Sequence, residues 1–182
     1  MTHSSAPHIN QAGYINIAQQ ISSPNHDARP DNNSISLIVI HNISLPPQQY
    51  GGNGVTQLFT NQLNPNEHPY YAEISHLKVS SHFFIRRNGG LIQFVSCLNR
   101  AWHAGASSWK GIERCNDFSI GIELEGSDFD TFESVQYATL NALMCELKKT
   151  YPIVDVVGHS DIAPRRKTDP GPYFDWTKVN QL

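Results

Sequence analysis

The chain has 182 residues, of which 39% are hydrophobic and 16% charged, with a formal net charge of -3 at pH 7. That length suits one domain, read as residues 1–182 with an N-terminal arm over 1–23, and a sizeable core. No block of like charge points to nucleic acid or an anionic membrane surface, and no apolar run reaches membrane-spanning length, so both are set aside as partners. The stretch Met1–His8 has neither the basic n-region nor the apolar h-region of a secretory signal. Cys97, Cys115 and Cys145 are odd in number, far apart and without Cys-x-x-Cys spacing. This favours reduced thiols in a cytoplasm over a disulfide framework or a cysteine-based zinc site.

Residues 1 to 34 are polar and irregular, with Pro24, Pro30 and Asn/Asp-rich turns, and read as an arm packed over the domain. The run Ile35–His41 is continuously apolar from Leu37 to Ile40, as expected of a strand buried on both faces, and Asn42–Pro47 breaks it. A loop with Gly51, Gly52 and Gly54 follows, and 54–63 reads as a short helix through Val55, Leu58 and Phe59. Residues 82–87 and 91–95 flank Asn88-Gly89, a hairpin signal, because that pair suits positive φ. Residues 98–116 read as loop and contain Trp102-His103-Ala104-Gly105. The stretch 118–125 alternates with period two, placing Phe118, Ile120, Ile122 and Leu124 on one face and Ser119, Gly121, Glu123 and Glu125 on the other.

Residues 133–150 form the best predicted helix, since Leu140, Leu143, Met144 and Leu147 follow i, i+3, i+4, i+7. Asp130 with Glu133 is the expected cap, and Lys148 and Lys149 suit the C-terminal dipole. The β-branched run 153–157, bounded by Pro152 and Gly158, reads as a short buried strand. The loop 158–172 holds three prolines and a Pro-Gly pair, so neither helix nor central strand should continue there. Residues 174–180 are expected to make a last short helix. The fold class is α/β: a single domain with a mixed central sheet and helices packed on it.

Two strands thus each deliver a histidine, His41 and His159, at the C-terminal end, where open α/β sheets place their sites. The loop after His159 adds Asp169 and Lys167. Zinc takes imidazole nitrogen and carboxylate oxygen, and a catalytic zinc keeps one position open for water. Blander readings stand beside this one. With nine histidines, His82 and His103 are competing ligands. Asp169 before Pro170 also suits a turn, Lys167 a solvated surface and Glu123 a solvated sheet face, although Gly121 leaves room beside Glu123. Trp102 fits either the core or a flat apolar face for a sugar ring. No Gly-x-Ser-x-Gly elbow, phosphate loop or dinucleotide fingerprint is present.

Four stretches carry a resemblance: His41–Pro47, Arg100–Gly105, Glu113–Gly126 and Gly158–Pro172. Across about residues 24–176 the chain resembles the zinc-dependent N-acetylmuramoyl-L-alanine amidases, nearest to the cytoplasmic AmpD type acting on 1,6-anhydro-muropeptides. The resemblance implies an amidase/peptidoglycan-recognition-like fold, with Zn2+ held by His41, His159 and Asp169, and Glu123 and Lys167 catalytic beside it. In many members of the wider family the third ligand is a cysteine; this chain has Asp169 there, as the cytoplasmic type does. The resemblance also implies that Asn42, Lys78, Trp102 and Arg114 bind substrate. Lys78 stands where arginine is expected, which keeps the charge but loses the bidentate fork for a carboxylate.

The implied activity is hydrolysis of the amide between anhydro-N-acetylmuramic acid and L-alanine, by a monomer acting on a small-molecule muropeptide in cell-wall recycling. A non-catalytic muropeptide sensor is the second reading, opposed by the intact ligand set with Glu123 and Lys167. A secreted or phage lysin is the third, opposed by the missing signal and the pairing of Glu123 with Asp169.

Overall fold

A computed structural model of the chain describes residues 6–31 and 33–180. The backbone of its sheets runs β1 (Gln19–Gln20), β2 (His26–Ala28), β3 (Leu37–Ile43), β4 (Phe83–Ile85), β5 (Leu91–Gln93), β6 (Asn99–Ala101), β7 (Ser108–Trp109), β8 (Ile112–Glu113), β9 (Ser119–Glu125) and β10 (Asp155–Gly158). The helices are α1 (Gly54–Phe59), α2 (Pro69–Ile74), α3 (Ser134–Thr150) and α4 (His159–Ile162). Short 3-10 turns cover Cys115–Asp117 and Trp176–Lys178.

Six strands form one mixed sheet in the order β1-β5-β4-β9-β3-β10. β4, β9, β3 and β10 are parallel neighbours, and β5 runs antiparallel to β4. The expected α/β architecture is therefore present, with β9 and β3, its two longest strands, side by side within it. Every residue of β9 is buried. Ile120, Ile122 and Leu124 share a core with Ile38, Ile40 and the α3 stripe Leu140, Leu143, Met144 and Leu147. The opposite face is not solvated, as period two alone allowed for Glu123; loops and the short helices cover it. Phe118 lies one residue before β9 and packs with Leu37, Val39 and Ile162 on that second face, not with Ile120 and Ile122 as the alternation predicted.

The Asn-Gly hairpin forms, with Gly89 at φ +81°. The loop is wider than two residues because Arg86 closes it through hydrogen bonds with Gly89 and Gly90. At the start of α3 the expected cap differs. Gln136 Oε1 accepts the Glu133 N–H at 2.9 Å, whereas Asp130 is turned away to Tyr50 and Ser127. The expected loop over 98–116 contains β6 and the β7–β8 ribbon, and the final helix is a single 3-10 turn.

The arm is more than a cover. Ile9 and Ile15 are buried in the main core, and their N–H groups donate to Glu146 and Gln93 of the domain. β2 pairs antiparallel with β6, bringing Asp27 against Arg100. The arm's first five residues lie outside the described residues. No described helix is long and apolar enough to cross a membrane.

Candidate metal centre and active-site cleft

Register sets the site. β3 faces β9 with His41 opposite Glu123, and faces β10 with Ile40 opposite Gly158, so His159 comes one step beyond, level with His41. β3 continues to Ile43, so His41 sits within the strand rather than at its last residue. His159 opens α4, a single turn that the proline-rich composition concealed. The chain then folds back: the Ser160 N–H donates to the carbonyl of Asp169 at 2.9 Å. This closure places the Asp169 carboxylate beside the two imidazoles.

The result is a triangle of donor atoms. His41 Nδ1, His159 Nδ1 and Asp169 Oδ2 are each 3.0 Å from the other two. Both histidines are buried, and Asp169 is nearly so. Two imidazole nitrogens and a carboxylate oxygen converging this closely match the donor set of a catalytic divalent-metal site with three protein ligands. The far nitrogens are tied elsewhere: His159 Nε2 donates to the Ala104 carbonyl at 3.1 Å, and His41 Nε2 lies 2.9 Å from His103 Nδ1. The carbonyl fixes the His159 proton on Nε2 and leaves its Nδ1 lone pair for the centre, the usual outer-partner arrangement of a ligating histidine. The residues present fit a metal ion.

Electrostatics agree with that use. Burial pulls the His41 imidazole down to about 4, against the raising effect of Asp169, so it is neutral at pH 7. Burial would raise the Asp169 carboxyl, but the imidazoles of His159 and His41, each 3.0 Å from its Oδ2, outweigh it and hold it well below the usual carboxylate range. Glu123 is the opposite case. Burial, then the charge of Asp169, push its carboxyl well above the ordinary range, with Lys167 pulling the other way. Its Oε2 is buried without a hydrogen-bond partner.

These groups line one open cavity of about 540 Å³, together with Asn42, Trp102, His103 and Lys167. Asn42 Nδ2 donates to Asp128 Oδ1 at 2.7 Å, which holds the amide at the cavity wall. Lys78 and Arg114 do not line it. Lys78 is exposed, and Arg114 is exposed with its Nε on Asp117 at 3.2 Å. Nor are His82 and His103 part of the triangle. His82 is a satisfied core histidine: Nδ1 accepts from the Gly121 N–H and Nε2 faces the Asn99 carbonyl, while burial, then Arg29, lower it to about 3.

Several contributors went unread in the sequence. Asp128 and Asn116 are two: Asn116 Oδ1 accepts from the N–H groups of His103 and Ala104 and so fixes the segment touching both histidines. The apolar wall of the cavity comes largely from α1 and α2, through Leu58, Phe59, Tyr70 and Ile74. α2 did have a signal: Pro69 at its first position after His68, whose Nδ1 caps the Tyr70 N–H.

The sequence profile of the family described as N-acetylmuramoyl-L-alanine amidase matches residues 31–172. The chain belongs to that family. The amidase is 51% identical to the Citrobacter freundii 1,6-anhydro-N-acetylmuramyl-L-alanine amidase AmpD, covering 93% of this chain and 92% of that protein. It is 49% identical to the Escherichia coli AmpD, covering 94% and 95%. Among solved structures, the crystal structure of a selenomethionine derivative of AmpD superposes with a TM-score of 0.91 at 50% identity, over 93% of this chain and 98% of that one. The Escherichia coli amidase AmiD, in complex with the substrate anhydro-N-acetylmuramic acid-L-Ala-D-gamma-Glu-L-Lys, has a TM-score of 0.58 at 30% identity, covering 95% of this chain and 64% of that one. The matched span of this amidase contains all three corners of the donor triangle as well as Glu123 and Lys167.

Proposed function

We propose that this amidase uses zinc to hydrolyse the amide between the lactyl group of 1,6-anhydro-N-acetylmuramic acid and L-alanine of soluble muropeptides, in cytoplasmic cell-wall recycling. The observation that carries the chemistry is the donor triangle sharing one cavity with a buried, unpartnered carboxylate. The half-identity to AmpD enzymes over nearly the whole chain supports the substrate, as does the anhydro-muropeptide bound by the more distant AmiD.

His41, His159 and Asp169 would hold the ion. When bound, zinc polarises the scissile carbonyl and lowers the pKa of water toward neutrality. The residues of the chain do the rest. Glu123, with its carboxyl raised well above the ordinary range by burial, accepts the proton of the attacking water. It then passes that proton to the departing amine of L-alanine. Lys167 offers its ammonium to the oxygen that gains charge as the carbonyl becomes tetrahedral. Trp102 presents a flat face to the anhydro-sugar, and Asn42, steadied by Asp128, orients the amide. Lys78 and Arg114, on the exposed surface, would meet only parts of a substrate that extend beyond the cavity.

The test compares soluble anhydro-muropeptide with intact sacculi, with and without chelator. Chelator-sensitive release of L-alanyl peptide from the soluble substrate is expected. Equal rates on sacculi would mark a lysin, and binding without cleavage a sensor. His41→Ala and Asp169→Ala should lose zinc and activity together, and full zinc occupancy in both would show that other residues hold the ion.

A further inference from the structure

The two histidines of the triangle are anchored by different kinds of partner. His159 Nε2 meets the carbonyl of Ala104, which only accepts. His41 Nε2 meets His103 Nδ1 at 2.9 Å, where either nitrogen can be the donor. The triangle decides between them. His41 Nδ1 lies 3.0 Å from both other corners and needs a bare lone pair to ligate. A neutral imidazole carries one N–H, so that proton is on Nε2 and is donated to His103. His103 Nδ1 then has to be the acceptor, and its own proton sits on Nε2, 3.2 Å from the Ser119 hydroxyl.

The surroundings of His103 are built for this orientation. Asn116 Oδ1 holds its backbone N–H and that of Ala104. Its ring lies directly over Gly121, where an added Cβ would come within 2.5 Å of ring carbon. Ser119, Gly121 and Glu123 are alternate residues of β9, so the strand supplies in succession a hydroxyl for the ring, room for the ring and the cavity carboxylate. His103 is not a fourth ligand, because its Nδ1 engages the nitrogen of His41 that faces away from the triangle.

We infer that His103 is a positioning residue: as hydrogen-bond acceptor, backed by Ser119 and seated on Gly121, it holds His41 in the Nε2–H form and aims Nδ1 at the metal. This rests on the zinc reading above. Outer partners of metal-bound histidines are worth roughly 10–100-fold in metal affinity.

The experiment measures the zinc dissociation constant of the parent, His103→Leu and His103→Asn by competition with a chromogenic chelator, with near-ultraviolet circular dichroism to check packing. Leucine fills space without accepting. The asparagine oxygen falls near the place of Nδ1 and can accept. The leucine variant should bind zinc roughly 10–100-fold more weakly, and asparagine should recover most of that loss. A packed leucine variant with parental affinity would overturn the inference, as would an asparagine variant no better than leucine. Nitrogen-15 NMR of the zinc-loaded parent tests it without any variant. His103 should show an unprotonated Nδ1 and a protonated Nε2, and the reverse tautomer overturns it. A parent protein that takes up no zinc would instead sink the zinc reading on which the inference stands.

Discussion

Glu123 is a carboxylate placed where ionisation is costly: buried, beside Asp169, with an oxygen that has no partner. Its carboxyl is raised in the folded state. The stability it contributes is therefore present below the unfolded value and lost as pH rises through the folded one. Glu123→Gln removes that cost. The metal-free variant should be more stable than the parent at pH 7 by about 1–3 kcal/mol, and the gain should shrink toward pH 5. Urea titrations at the two pH values check this, and a variant weaker at both would contradict it. Activity should move the other way. An amide cannot take the proton, so single-turnover hydrolysis at matched zinc content should fall by roughly 10²–10⁴. A near-parental rate would falsify the assignment of Glu123 as base. Lys167→Ala should also keep zinc and lose about 10²–10³, while Lys167→Arg should recover part, since the charge stays but its position shifts. Unchanged turnover in the alanine variant would remove Lys167 from the mechanism.

At the scale of elements, Gln136 couples α3 to the site sheet. It is fully buried; its Oε1 accepts the Glu133 N–H, and its Nε2 donates to the carbonyls of Ile85 and Glu125 at the ends of β4 and β9. Gln136→Leu would leave these backbone groups without their partner, at about 1–3 kcal/mol for each buried group. A loss of about 2–5 kcal/mol in urea unfolding is expected, with zinc affinity unchanged because no triangle residue moves. A loss below ~0.5 kcal/mol would show that other partners replace the amide. The helix itself was legible, since its apolar stripe repeats within one element. Its cap was not, because Asp130 with Glu133 fits the capping pattern and only Tyr50, from another part of the chain, draws Asp130 away. The alternation of β9 was legible for the same reason as the helix stripe. That both of its faces are covered depended on residues from segments far apart in the chain.

For the molecule as a whole, the neutral buried histidines make acid a threat. His41 is held at about 4 and His82 at about 3, both below the unfolded value near 6.5. Between pH 7 and 5 the unfolded chain takes up protons that the native state refuses, so stability falls with pH. Linkage assigns about 2 kcal/mol to each such histidine over that interval. Asp169, depressed in the folded state, adds to the loss at still lower pH, and Glu123 works in the opposite sense. His103, buried and lowered in the same sense, adds a like share, so a net fall of about 3–4 kcal/mol is expected for the chelated protein from pH 7 to pH 5. A flat profile would mean that these imidazoles accept protons while folded.

The sequence by itself determined the α/β class, the hairpin, α3, and two histidines at the C-terminal ends of strands, the second followed by a turn-rich loop bearing Asp169. Periodicity and composition act over a few neighbouring residues, so a single chain displays them. The tertiary structure alone decided which histidines converge. His41 meets His159 across 118 positions and Asp169 across 128, through strand register and a loop closure that no local pattern encodes. It likewise turned Ile9 and Ile15 of a polar arm into core, and left Lys78 and Arg114 outside the cavity. It also set His103, spaced like any other ligand candidate, behind His41 and outside the donor triangle. What stands behind the His41 ring comes from another part of the chain, 62 positions away.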